Sequence, residues 1–294
     1  MNWVETLQQA VNYMEEHLLE DINYEDVARQ VHMSCYEFHR TFSFMSGMTA
    51  NNYIRNRRLS LAGQELSQTN AKVIDVALKY GYDTPEGFSK AFIRFHGTTP
   101  MNAKRIGTQL SLFNPLNIIV TMEGGKSMEY RVEQTKEKKF IALGRSFSNQ
   151  IMNDDNNHSI PDFWEECHKK DLIESIRNLR PEGKRDLYGL CSAKKDENSF
   201  EYGIGVIVDE DTLPFDEEEM MKKGFSIWNV EPSTYAVLQC MGNDGGCIGD
   251  MWTRFYKEFL PQTGYQTKQT TDYEIYYEKG EPGMFCELWI PVEK

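Results

Sequence analysis

The chain has 294 residues, 40% of them apolar and 26% charged, a size that at about 150 residues per domain suggests two ordinary globular domains. No run approaches the roughly 18 apolar residues of a membrane span, and residues 1–10 lack the basic start and apolar stretch of a secretory signal. Six cysteines with no Cys-x-x-Cys spacing exclude a disulfide framework and a structural zinc site, so a cytoplasmic chain without metal or cofactor is expected.

The net charge is −13, unevenly spread. Residues 1–110 hold 11 Lys+Arg against 12 Asp+Glu, and residues 111–294 hold 21 against 33. A nearly neutral first part and a strongly acidic second part point to two different tasks.

The first hundred residues read as helix. Asn2 and Glu5 form a capping-box-like start, and Val4, Leu7, Val11, Met14 and Leu18 recur at helical spacing. A short helix follows over 23–31, and Ser34-Cys35-Tyr36-Glu37 starts another. Two short helices joined by a tight turn make a helix-turn-helix candidate. A longer helix is expected over 50–67. The unit then repeats: Ala28 matches Ala77, Phe38, Phe42 and Gly47 match Phe88, Phe92 and Gly97, Thr49 matches Thr99, and Arg55 matches Arg105. Gly81 suits the turn of the second copy, where the first copy has His32, and Thr84-Pro85 is a good helix start.

Asn114-Pro115 and Gly124-Gly125 flank a strand-like stretch over 118–122, and 108–127 is expected to be a linker. Beyond it, strands are expected over 140–143, 188–191, 202–208, 235–240, 273–277 and 285–292, with helices over 161–173 and 249–259. Strand, helix, strand, strand occurs twice, which predicts an α+β domain over 128–294 with two pseudo-twofold halves.

The helix from Ser34 buries Phe38, Phe42 and Met45 and presents Tyr36, His39, Arg40 and Ser43 on the other side. Such a set suits a DNA major groove, where Arg forks to guanine. The matching positions of the second copy are Glu86, Ser89 and Lys90; Glu86 either accepts from cytosine or repels the backbone. Arg57, Arg58, Arg94 and Lys104 are candidate phosphate contacts, or else cations that pack helices. A helical protein-binding domain is the alternative to a DNA-binding one. Cys35 and His39 have metal-compatible spacing but no further ligand nearby.

In the second part, strand alternation puts Glu287 and Trp289 on one face and Cys286, Leu288 and Ile290 on the other. Glu287 either lies on a solvated sheet face or forms the anionic floor of an aromatic pocket suited to an organic cation.

Residues 4–105 resemble the DNA-binding domain of the AraC/XylS family of transcription regulators. The resemblance rests on Gly81-Tyr82-Asp83-Thr84-Pro85-Glu86-Gly87-Phe88-Ser89-Lys90-Ala91-Phe92 with Phe95, Gly97, Pro100 and Arg105, and on Ser34, Phe38, Arg40, Phe42, Gly47, Tyr53-Ile54-Arg55 and Arg58-Leu59. It implies an all-α domain over 1–107 with two helix-turn-helix motifs joined by a linker helix. It also implies base-facing roles for Tyr36, His39 and Arg40 in one motif and Glu86, Ser89 and Lys90 in the other. His32 departs from the small turn residue usual there.

Residues 128–294 resemble the GyrI-like small-molecule-binding domain. This rests on Phe163-Trp164, the strands over 188–191 and 202–208, the helix over 252–259 and above all the ending Glu287-Leu288-Trp289-Ile290-Pro291-Val292. It implies that Glu287 faces an effector groove, with Trp289, Tyr276, Tyr188, Tyr202 and Trp252 as walls. The order of the two domains is Rob-type, the reverse of most AraC-family members.

The implied function is a regulator that binds double-stranded promoter DNA, responds to a small aromatic or cationic effector and meets RNA polymerase. A monomer or weak dimer suffices, since one chain carries both motifs. A GyrI-like hydrolase with Glu287 in its pocket, or a protein that sequesters a toxin, are the alternatives. The effector, the operator and the sign of regulation are not legible.

Overall fold

The computed structural model describes residues 3–118, 127–148, 159–193 and 199–294. They form two compact units, divided between residues 118 and 127.

The first unit is helical: α1 (Trp3–Glu16), α2 (Tyr24–Gln30), α3 (Cys35–Ser46), α4 (Ala50–Gln68), α5 (Val73–Lys79), α6 (Pro85–His96) and α7 (Pro100–Ala103). Asn2 lies outside the described residues. Local chemistry sets the other boundaries. Ser34, Thr49, Thr84 and Thr99 are N-caps whose hydroxyls accept from the backbone three residues on. Gly47 and Gly97 end α3 and α6 in the left-handed region. The unit has two cores. One packs Leu7, Val11, Met14, Val27, Phe38, Phe42 and Tyr53 together. The other gathers Leu59, Leu66, Val76, Phe88 and Phe92.

The turn between α2 and α3 puts His32 at φ 56°, and the turn between α5 and α6 puts Gly81 at φ 81°. A side chain in the left-handed region costs about 1–2 kcal/mol, against roughly 0.5–1 kcal/mol of extra backbone entropy for glycine. His32→Gly is therefore expected to stabilise this unit, by about 1 kcal/mol at most. Urea denaturation checks it, and a destabilised variant would show that the exposed imidazole makes a contact worth more than the strain.

The second unit comprises β1 (Arg131–Thr135), β2 (Lys138–Ser148), α8 (Ser159–Lys169), α9 (Leu172–Arg177), β3 (Leu187–Ala193), β4 (Ser199–Val208), α10 (Glu217–Lys222), β5 (Phe225–Val230), β6 (Ser233–Met241), α11 (Gly246–Arg254), a π-helical turn (Phe255–Phe259), α12 (Leu260–Thr263), β7 (Gln266–Thr267), β8 (Asp272–Tyr276) and β9 (Met284–Glu293). Asp171 at φ 55° divides α8 from α9, where one continuous helix was expected. All pairings are antiparallel, in the order β1-β6-β9-β8-β3-β4-β2-β5, with β7 beside β9.

One long ladder closes this sheet. Arg131 pairs with Val237 and Thr135 with Ser233; across a short break Lys138 pairs with Val230 and Leu143 with Phe225. The register is unbroken, so β1–β2 and β5–β6 act as two long bent strands joining the ends of the sheet. The inner face is an aromatic core of Phe140, Tyr188, Tyr235, Tyr273 and Trp289 with Leu190, Val230, Val237 and Ile275.

Candidate functional sites

The two candidate DNA-reading helices differ. On α6, Glu86, Lys90 and Arg94 are exposed and Ser89 is half-buried, so the face expected to meet bases is open. On α3, Tyr36 and His39 are buried, contrary to the expectation of a solvent-facing pair. His39 packs edge-on against Tyr24, with ring centroids 5.6 Å apart, which takes it out of the base-facing set. Arg40 is half-buried. Its Nη1 donates to the Tyr36 hydroxyl at 2.7 Å, and its guanidinium lies 4.7 Å from the centre of that ring. Tyr36 therefore orients Arg40.

Three of the four candidate phosphate contacts are structural. Arg57 is buried and grips Glu15 with Nε–Oε1 2.7 Å and Nη2–Oε2 2.9 Å, while Nη1 donates to the Phe113 carbonyl. Arg58 donates to the carbonyls of Leu18 at 2.7 Å and Glu20 at 2.6 Å, at the chain leaving α1. Lys104 donates to the Ala71 carbonyl at 2.8 Å. Each satisfies backbone or carboxylate oxygens that would otherwise be left open, at the end of α1, between α4 and α5, or at Phe113. Arg94 alone of the four is exposed.

In the second unit the predicted effector residues separate onto two faces. Tyr273 pairs with Trp289 and Ile275 with Glu287, and Tyr188 pairs with Ile275, so Glu287, Trp289 and Tyr188 share the inner face. Tyr276 and Tyr202 belong to the outer face, against α8. The Trp164 indole N–H donates to the Tyr202 hydroxyl at 3.0 Å, and Trp164 meets Tyr276 edge-on at 5.1 Å. Trp252, on α11, lies outside the inner cluster and stacks on Tyr256 at 6.0 Å. A single groove walled by all six residues is therefore not what forms, because neighbouring positions on one strand point to opposite sides.

On the inner face Glu287 is 5% exposed and already matched by a cation of the chain itself. Arg131 donates to both carboxylate oxygens, at 2.6 and 2.7 Å. The Tyr277 hydroxyl adds a bond of 2.7 Å, and the Trp289 indole one of 3.3 Å. Burial alone would raise the Glu287 carboxyl, but Arg131 and Tyr277 outweigh it and hold it below the usual carboxylate range. Arg131 lies 5.5 Å and Lys138 4.7 Å from the Trp289 ring centre. Burial lowers the Lys138 ammonium, with Glu133 opposing.

The outer face holds a second buried glutamate that the sequence reading missed. Glu274 accepts from the Tyr202 hydroxyl at 2.9 Å. Trp164, Tyr202 and Glu274 thus form a relay of hydrogen bonds, flanked by Tyr276, which meets Phe285 at 5.6 Å. Gly189, opposite Glu274 in the ladder, makes this possible, since a Cβ there would overlap both the carboxylate and the Tyr202 hydroxyl. Burial raises the Tyr202 phenol far above its ordinary range, and Glu274 adds to it.

A helical unit with a capped, exposed second helix of a helix-turn-helix and a sheet unit with buried carboxylates among aromatic rings are the arrangement expected of a DNA-binding regulator with an effector-binding domain. Comparison with known proteins agrees. Residues 131–292 match the family of integron-associated effector binding proteins, and residues 27–106 match a helix-turn-helix domain. The chain belongs to the AraC-type helix-turn-helix regulators that carry a GyrI-like effector-binding domain.

The regulatory protein SoxS of Salmonella typhimurium is 32% identical over 100 residues, which are 34% of this chain and 94% of SoxS. The uncharacterized regulator YbfP of Bacillus subtilis is 35% identical over 100 residues, 34% of each chain, so the match spans about a third of that relative. A solved structure of a putative transcription regulation protein from Staphylococcus aureus is 18% identical with TM-score 0.44, covering 57% of this chain and all of its own. No helix among the described residues is long and apolar enough to cross a membrane.

Proposed function

We propose that the chain reads promoter DNA with α3 and α6 together and that its effector is an aromatic organic cation held on the outer sheet face at Glu274. On the DNA side, Lys90, Ser89 and Glu86 are the base-facing residues of α6, Arg40 oriented by Tyr36 is that of α3, and Arg94 is a phosphate contact. Two helix-turn-helix copies on one chain would occupy grooves about one turn, or roughly 34 Å, apart and read an asymmetric site without a partner. Recruitment of RNA polymerase belongs to this reading, and the matching left-handed turns at His32 and Gly81 support the duplication.

In the effector domain, β2-α8-β3-β4 and β6-α11-β8-β9 are taken as related halves, because they occupy mirrored places in the strand order about the β3–β8 pair. The observation that carries the effector site is the buried Glu274 carboxylate joined to Tyr202 and Trp164 with Tyr276 alongside. Aromatic faces attract a cation with about 0.5–2 kcal/mol each, and a carboxylate in a low-dielectric setting adds a Coulomb attraction. Glu287 lies on the opposite, inner face, where Arg131 donates to both of its carboxylate oxygens.

A tryptophan-fluorescence titration with aromatic cations and matched neutral analogues tests it. Glu274→Gln is expected to weaken cations at least about tenfold, equivalent to roughly 1.4 kcal/mol, and to leave neutral analogues unchanged. Glu287→Gln is expected to bind as wild type. The reverse pattern would move the site to the inner face.

A further inference from the structure

Residues 108–118 were expected to be linker, yet they lie along the helical unit as an extended strap. Side chains of three helices hold its backbone. The Ser111 N–H donates to His96 Nδ1 of α6 at 3.2 Å, and the Phe113 N–H donates to Ser60 Oγ of α4 at 3.0 Å. The Phe113 carbonyl accepts from Arg57, also of α4. The Leu116 N–H donates to the Tyr53 hydroxyl at 3.2 Å, and the Ile118 N–H donates to Gln8 Oε1 of α1 at 2.9 Å. With Nδ1 accepting, His96 carries its proton on Nε2 and donates to the Leu59 carbonyl at 2.9 Å; burial lowers its pKa and favours this neutral form. The ring fits because Gly63 of α4 has no Cβ to collide with it.

The apolar side chains divide in a telling way. Leu110 packs on the second core, while Phe113, Leu116 and Ile118 pack on the first. Phe113 meets Tyr53 edge-on at 5.8 Å. The strap therefore bridges both cores along α4, the helix whose residues enter both of them.

We propose that this strap is a splint that fixes the angle and separation of α3 and α6, and so sets which spacing of DNA half-sites the chain accepts. This rests on the reading that both helices enter DNA. A helix pair joined by one helix alone bends and twists at that helix. A strap anchored by five backbone hydrogen bonds to α1, α4 and α6 removes that freedom. Its residues act through the helices and touch no base, so they are positioning residues.

The test uses the full chain. Its preferred site is selected from random duplexes, and binding is measured by fluorescence anisotropy on that site and on versions with one or two base pairs inserted between the half-sites. Wild type is expected to discriminate against the two-pair insertion by about tenfold or more, as for loss of one or more base contacts. In a Phe113→Ala, Leu116→Ala variant that ratio is expected to fall below about threefold, with affinity for random-sequence DNA unchanged. Ser60→Ala, which removes a single strap acceptor, is the milder second variant and is expected to lie between the two. Hydrogen exchange of the 111–118 amides reports whether the strap has detached. Undiminished spacing discrimination with fast-exchanging strap amides would overturn the splint. Lack of discrimination in the wild type would instead overturn the two-helix reading beneath it.

Discussion

Arg57→Ala is expected to destabilise the helical unit by about 3–5 kcal/mol, the range for removing one partner of a buried ion pair. The arginine side chain is 8% exposed and its partner Glu15 23%. Removal strands two groups at once. Glu15 retains only the Tyr53 hydroxyl, at 2.6 Å, of its arginine-centred network, and the Phe113 carbonyl loses its donor. The same Tyr53 hydroxyl accepts from Leu116, so the damage reaches the chain leaving the unit. Urea denaturation followed by circular dichroism measures it. A loss below about 1 kcal/mol, typical of exposed pairs, would show that the buried ion pair contributes little to the stability of the unit.

The second large effect lies in the sheet unit and is asymmetric. Arg131→Met leaves the Glu287 carboxylate buried with Tyr277 and Trp289 as its donors, and is expected to cost about 2–3 kcal/mol at neutral pH. Glu287→Gln leaves a half-exposed Arg131 free to turn to water, since its side chain is 42% exposed, and is expected to cost under about 1 kcal/mol. The pH dependence follows from the sign of the shift. In the wild type Glu287 is depressed in the folded state, so its contribution is present above the usual carboxylate range and is lost as pH falls through the folded value. In Arg131→Met burial dominates, the folded carboxyl rises, and acid relieves the defect. The gap between the two proteins should therefore narrow on going from neutral to acidic pH. Equal costs for the two substitutions, or a gap independent of pH, would mean that the ion pair contributes little.

What the sequence disclosed depended on range along the chain. Caps are local, and Ser34 and Thr84 marked the starts of their helices correctly because each acts on a backbone group within a few residues. Six of the nine strands described in the second unit were also legible, from β-branched and aromatic alternation. The roles of cations were not. Arg57 finds Glu15 forty-two residues away, and Arg131 finds Glu287 at a distance of 156. No spacing rule reaches that far.

The division of the expected effector residues between two faces was hidden for a related reason. Alternation tells which neighbours on one strand share a face, and it paired Glu287 with Trp289 correctly. It does not tell which face of β8 or β4 aligns with which face of β9; that needs the ladder register. Glu274 was overlooked although Tyr273-Glu274-Ile275-Tyr276 carries the signal, a carboxylate set among aromatic and apolar neighbours. The β1, β5 and β7 strands were missed: β1 exposes Arg131, Val132 and Gln134, β5 buries only its end residues Phe225 and Val230, and β7 is two residues long.

The ladder that closes the sheet also dictates when the unit can form. Arg131 waits for Val237, roughly a hundred residues later in the chain. At about 5–20 residues per second of synthesis, β1 and β2 emerge on the order of 5–20 s before the strands that complete their ladder. Phe140 and Ala142, fully buried in the finished unit, have no native aromatic core to enter during that interval. The helical unit precedes them and contacts mainly its own near neighbours, so it can fold while they wait. A nascent chain halted near residue 215 would thus present a folded DNA-binding unit tethered to an open, sticky half-sheet, the stage at which a chaperone has most to offer.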